Sequence, residues 1–250
     1  MRPRFFVPTL DPERGEAVLP GDESRHLVRV LRLGPGAHVE VFDGSGREFA
    51  AEVVTAGRSG VTVRLRDAIE RSTEPRVRVV LAQAILKPAS MDDVVRDATM
   101  MGVGAIVPLV TDHVTVPARA IAGGRAVERW RRIALASVKQ CRRASLPHIH
   151  EPTPFDAWLA DASGIRGAGP TLFLVEPLAV STTRSLRSVM DDPAPRAVTI
   201  AVGPEGGWSE EETAAALAAG CTPVSLGPLT LRADAAALVA LSGLAVVWSG

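Results

Sequence analysis

The chain has 250 residues, 46% of them apolar, and its 28 basic and 28 acidic side chains cancel to a formal charge of zero. That composition supports globular order with a well-filled core, and any affinity for a polyanion has to come from uneven placement of charge. No apolar run approaches the roughly 20 residues that cross a bilayer, MRPRFF lacks the apolar stretch of a secretory signal, and Cys141 and Cys221 form neither a disulfide framework nor a zinc pattern. The expectation is a cytoplasmic protein with no membrane and no metal among its partners.

In chain order, RHLVRVLRLGPG comes first. Its Arg25, Arg29 and Arg32 are spaced four and three apart, which predicts one basic face of a short helix with Leu27, Val30 and Leu31 on the other side. Such a face suits a phosphate backbone or is simply solvated, and spacing does not choose. The segments HVEVFD, EFAAEVV and VTVRLRD alternate in hydropathy between the turn signals LGPG, DGSG and GRSG, the pattern of a small β-barrel or sandwich. The stretch Glu70 to Arg76 reads as a linker, which divides the chain into domains 1–74 and 75–250.

Beyond it strand and helix alternate. VRVVLAQAI, AIVPLV, TLFLVE, AVTIAV and TPVSLG read as buried parallel strands, and MDDVVRDATMMG, AVERWRRIALASVKQCRR, SEEETAAALAAG and ADAAALVALSGLAVVW as helices packed on them. The fold class is α/β. Charge is unevenly placed here: Arg119, Arg125, Arg129, Arg131, Arg132, Lys139, Arg142 and Arg143 stand against one acid, Glu128. On the long helix, Trp130, Ala134, Ser137 and Cys141 share one side and read as core.

Three strand exits carry polar residues suited to a ligand. AVTIAVGPEGGWSEEE sets Gly203, Gly206 and Gly207 between a strand and a helix that Ser209 and Glu212 start as a capping box, leaving Glu205 without a structural task. SLGPLTLRADAAAL places Arg232 beside a helix that Asp234 is expected to cap, where a guanidinium fork suits a phosphate or carboxylate. Glu176 follows the strand of TLFLVE. The dinucleotide and P-loop fingerprints are absent, and His148 with His150 lacks a third metal ligand at suitable spacing.

Taken together, RFFV (Arg4 to Val7), HLVRVLR (His26 to Arg32), FDGSG, LK at Leu86 and Lys87, MGVGAIVPL, KQCRR (Lys139 to Arg143), VGPEGG (Val202 to Gly207) and LGPLTLRADAAAL resemble, in order and over the full length, the ribosomal RNA methyltransferases that methylate N3 of a uridine in small-subunit rRNA. The resemblance implies a PUA-like RNA-binding barrel over 1–74. It further implies a SPOUT-type methyltransferase domain over 75–250 with a C-terminal trefoil knot, and a homodimer. S-adenosylmethionine is the implied cofactor, held near Leu174, Glu176, Val202, Gly203, Pro204, Glu205, Gly206, Leu226, Gly227, Leu231 and Arg232. Arg232, Asp234 and Glu205 are the implied catalytic groups. Arg4, Arg25, His26, Arg29, Arg32, Lys87, Gln140 and Arg143 are the implied contacts to small-subunit rRNA, free or in the assembled subunit. Four positions depart from the family pattern: Lys139 where a Glu is usual, Arg142 where a Gly is usual, and Asp234-Ala235 where Glu-Thr is usual. Those departures leave room for a noncatalytic RNA-binding or ribosome-assembly protein, and the fold leaves room for methylation of tRNA or of a ribose hydroxyl.

Overall fold

The computed structural model describes residues 2–57, 60–70, 74–117, 124–161, 164–177 and 179–248, so Arg119 and part of the expected linker lie outside the described residues. The chain forms two compact units, Met1–Glu74 with Val138–Leu146, and Pro75–Ser137 with Pro147–Gly250.

The first unit is a five-stranded sheet in the order β1-β3-β4-β5-β2, built from β1 (Arg4–Phe6), β2 (Glu16–Val18), β3 (His38–Phe42), β4 (Glu48–Gly57) and β5 (Gly60–Ala68). The period-2 alternation of the sequence sets its register: Val53 faces Val63 across β4 and β5, and both are buried with Val39, Val41, Ala51 and Val61. Fully burying each such side chain contributes roughly 1.5–3 kcal/mol. The sheet is curled, with β1 and β2 as its edges.

The expected basic helix face is corrected here. Helix α1 (Gly21–Arg25) passes into a π turn over His26–Val30, whose wider winding breaks the three-and-four spacing, and Arg32 lies beyond it in the left-handed region at φ 53°. Arg25, His26, Arg29 and Arg32 are all exposed, but so are Val30 and Leu31, and only Leu27 is buried.

Charge is used inside this unit. Arg4 is 8% exposed and Arg143 3%, so neither of these expected RNA contacts offers its guanidinium to a large polyanion. Arg4 donates from Nε to Glu48 at 2.8 Å and from its terminal nitrogens to the carbonyls of Val138 at 3.1 Å and Arg143 at 2.9 Å. Arg143 forms a two-point ion pair with Glu74 at 3.2 and 2.7 Å. Two of the departures implied by the resemblance, Lys139 and Arg142, fall in the same network. Lys139 pairs with buried Glu23, so the reversed charge at 139 has an acid to meet. Arg142 sits at φ 66°, a conformation that favours glycine, and donates to Glu40 at 2.7 Å.

The second unit is an eight-stranded parallel sheet. Its strands are β6 (Arg78–Ala84), β7 (Ala105–Val110), β8 (His148–Ile149), β9 (Thr153–Pro154), β10 (Thr171–Leu174), β11 (Arg184–Ser185), β12 (Ala197–Val202) and β13 (Thr222–Ser225). They run in the order β11-β13-β10-β12-β6-β7-β8, with β9 also on β7. Its helices are α2 (Pro88–Met100), α3 (Arg125–Cys141, of which 138–141 cluster with the first unit), α4 (Phe155–Ala160), α5 (Leu186–Met190), α6 (Glu210–Ala218) and α7 (Ala233–Trp248). Both faces of the sheet are covered: Leu81, Ile106, Ile200 and Val224 pack toward α2, α3 and α7, and Ala82, Val107, Phe173 and Ala201 toward Phe155 and Trp158 of α4. Trp130, Ala134 and Ser137 of α3 are buried as expected, whereas Cys141 is only half-buried. Among the described residues no helix is long and apolar enough to cross a membrane.

Two outcomes follow. Replacing Arg4 by Ala removes the cation that pairs with the buried Glu48 carboxylate, and denaturant unfolding should show a loss of about 3 kcal/mol. At the sheet edge, burial first and then neighbouring His148 hold His150 below its ordinary 6.5. The unfolded state therefore binds the proton more readily, so stability is complete above the unfolded value and falls as pH drops through and below 6.5. Unfolding titrations between pH 7 and 5 should show a shallower decline for His150→Gln.

Candidate functional site

Parallel pairing brings the carboxyl ends of β10, β12 and β13 side by side: Phe173 registers with Ala201 on one flank and Leu174 with Val224 on the other. The three polar exits picked out in the sequence therefore converge. A cavity of about 370 Å³ lies there, lined by Leu174, Glu176, Val202, Gly203, Pro204, Glu205, Gly206, Leu226, Leu231, Arg232 and Asp234. Gly227 stands outside that lining; its φ of 141° serves the turn that leaves β13. Lys87 reaches the site through its backbone.

The glycine turn is held by side chains that sequence reasoning left out. Trp208 donates its indole N–H to the Leu174 carbonyl at 2.8 Å, stacks on Phe173 with centroids 4.5 Å apart, and lies so close to Gly203 that a Cβ there would meet the ring at 3.1 Å. Gly207 takes φ 72°, as the turn into α6 requires. From the loop after β7, the His113 ring nitrogen Nδ1 lies 3.1 Å from the carbonyls of both Gly206 and Gly207. Asp112 accepts from the Ser209 hydroxyl at 2.7 Å, and its own N–H donates to Glu212 at 3.0 Å. The Ser209–Glu212 capping box forms as the sequence indicates. Trp208 carried a signal, an aromatic directly after the glycines; Asp112 and His113, about a hundred positions away, carried none.

Glu205, Arg232 and Asp234 are already engaged. Glu205 accepts the Lys87 N–H at 3.2 Å, joining the glycine turn to the start of α2. Arg232 forms a two-point pair with Asp234 at 3.2 and 2.8 Å; the arginine side chain is 77% exposed and the aspartate 22%. Asp234 was expected to cap α7, but the helix starts at Ala233 and Asp234 lies within its first turn, where a carboxylate favours the positive end of the helix dipole. Among the described residues no three metal-ligating side chains gather, and His148 and His150 pack ring to edge.

A parallel sheet whose strand ends close a glycine turn, three acids and an arginine around one cavity defines an α/β domain built to bind a small polar ligand. Comparison with known proteins narrows this. Residues 73–245 match the model of the RNA methyltransferase domain, and residues 19–66 that of the RNA methyltransferase PUA domain. The chain belongs to this RNA methyltransferase family. It is 32% identical to the ribosomal RNA small subunit methyltransferase E of Synechocystis sp., over 87% of this chain and 68% of that one. It is 30% identical to the protein of the same name from Mycobacterium bovis, over 98% and 92%. Among solved structures, a Legionella pneumophila protein described as a methyltransferase in complex with the bound cofactor SAM superposes with a TM-score of 0.85 at 28% identity, covering 98% of each chain.

Ser209 serves both the helix cap and the tie to Asp112. Ser209→Ala should lower stability by about 1 kcal/mol, seen as a fall of roughly 2–4 °C in the melting temperature.

Proposed function

We propose that this protein transfers a methyl group from S-adenosylmethionine to N3 of a uridine in small-subunit ribosomal RNA, acting in the cytoplasm as a homodimer. The observation that carries the reading is the single cavity at the ends of β10, β12 and β13, which gathers all but one of the residues the family resemblance assigns to the cofactor. The cavity suits that cofactor: Leu174, Val202, Leu226 and Leu231 offer apolar surface to an adenine and thioether, and Glu176 and Glu205 offer carboxylates to hydroxyls and an ammonium. In this reading the C-terminal strands and helices form the trefoil knot of SPOUT enzymes, supported by a strand order in which β13 and β12 flank β10. The first unit is the PUA-like domain that grips RNA, with exposed Arg25, His26, Arg29, Arg32 and Gln140 supplying contacts in place of the buried Arg4 and Arg143.

When bound, S-adenosylmethionine supplies an electrophilic methyl on a sulfonium. The protein's own task is alignment, which supplies several kcal/mol of barrier lowering, and removal of the N3 proton. Arg232, exposed at the cavity wall, is placed to leave Asp234 for the uracil oxygens as negative charge develops there. Release of that pair frees the Asp234 carboxylate to take the proton, directly or through water. Glu205 is the other candidate, although its bond to Lys87 N–H favours a positioning role.

The test is transfer of radiolabel from S-adenosylmethionine to small subunits or naked rRNA lacking the modification, followed by nucleoside identification. Label is expected in N3-methyluridine, and Arg232→Ala should lower kcat by about 10²-fold. Label in another nucleoside changes the substrate, and full turnover by the variant removes the role given to Arg232.

A further inference from the structure

A second cavity, of about 230 Å³, lies in the same unit, and Leu86 lines both. The first turn of α2 is the partition: Ser90 faces the cofactor cavity, and Pro88, Met91 and Asp92 face the second one. The far wall is Trp130 with Ala126 on α3, closed by Val116 from the loop whose Asp112 and His113 hold the glycine turn. The mechanism above uses none of these side chains.

The chemistry of the lining is specific. Asp92 pairs through Oδ2 with Arg129, while its Oδ1 is buried and has no hydrogen-bond partner among the described residues. A buried carboxylate oxygen without a partner is costly, and the ligand that relieves it brings an N–H. Arg129 beside it offers donors to an acceptor on the same ligand edge, and Arg125 adds a second cation to the lining. Met91, Val116 and the Trp130 indole supply the apolar, partly aromatic walls that suit a flat ring. A flat ring with an N–H next to an acceptor, attached to a phosphate, describes a nucleotide, and unstacked bases are read this way by RNA-binding proteins.

We infer that the Asp92–Arg129–Trp130 cavity is a subsite for a nucleobase of the RNA substrate, read on its Watson–Crick edge while the neighbouring nucleotide is methylated. The inference rests on the proposed RNA methylation, and places substrate selection on the wall opposite the cofactor. Occupation of the cavity fixes α2 and the 111–117 loop, the two segments that Glu205 and the glycine turn lean on.

The test uses the full chain and two readouts. In the first, AMP, CMP, GMP and UMP are each titrated at millimolar concentration while indole N–H resonances are followed, with Trp130→Phe assigning the relevant one. In the second, methyl transfer to small subunits is measured for wild type, Ala126→Phe, which fills the cavity, and Asp92→Asn, which keeps its shape. The Trp130 resonance should move with at least one nucleotide and not in Ala126→Phe, and both variants should raise KM for the subunit about 10-fold, with S-adenosylmethionine affinity by calorimetry unchanged. Wild-type KM in both variants, with an unmoved Trp130 resonance, overturns the subsite and leaves the methylation reading intact. Failure of the wild type to transfer methyl, with a Trp130 shift that Ala126→Phe abolishes, overturns the methylation reading and supports a nucleotide site.

Discussion

Three loops at the ends of β10, β12 and β13 border one cavity, and parallel pairing alone fixes only where the strands stop. The Trp208 indole supplies the missing constraint. Its N–H takes the Leu174 carbonyl as that strand runs out of sheet partners, and its ring fills the space a Cβ at residue 203 would need. One side chain therefore sets the distance between the exit of β10 and the turn after β12. His113 and Asp112 do the same from the other side, holding Gly206, Gly207 and the first turn of α6. A turn rich in glycine is entropically expensive to order, and these contacts pre-order it before a ligand arrives.

The first unit solves a different problem. A small sheet with short edge strands has little apolar area, and it places charged groups in its interior instead of excluding them. Arg4 illustrates how this is tolerated: its guanidinium donates to the Glu48 carboxylate and to the carbonyls of Val138 and Arg143 near the end of α3, and lies 4.7 Å from the centre of the Phe42 ring. Buried ion pairs of this kind add little net stability over apolar replacements, but removing one partner is severe. Two of the departures that the resemblance implies follow the same rule. A lysine at 139 is compatible with the fold because Glu23 faces it, and an arginine at 142 is compatible with a left-handed conformation that Glu40 helps to hold.

Much of this was legible in the sequence, for identifiable reasons. Alternation of period 2 located β3, β4 and β5, and apolar runs bounded by glycine turns located the parallel strands, because both patterns report burial directly. The Ser209–Glu212 box was legible because its two hydrogen bonds are local. What the sequence misplaced depends on geometry that spacing does not encode. Arg25, Arg29 and Arg32 match a helical face only if the winding stays α, and a π turn intervenes. Arg4 and Arg143 look like surface cations until the carboxylates of Glu48 and Glu74, 44 and 69 positions away, are brought to them. Asp112 and His113 were invisible for the same reason, since their partners lie across the sheet.

The Arg232–Asp234 pair shows how a site can be stored in a closed electrostatic state. Two residues apart, at the first turn of α7, the fork and the carboxylate satisfy each other in two contacts. The arginine is mostly exposed, so its share of the pair is screened and weak, while the aspartate is largely covered and also accepts the Ala235 N–H at 2.9 Å. In the proposed reaction that asymmetry would favour movement of the arginine: a group with developing negative charge would compete for a guanidinium that loses little by leaving, and the carboxylate would stay anchored by the helix backbone. An Asp where the resemblance implies a Glu fits this arrangement, because a carboxylate one methylene nearer the backbone reaches the N–H of the next residue and is held at the cavity wall.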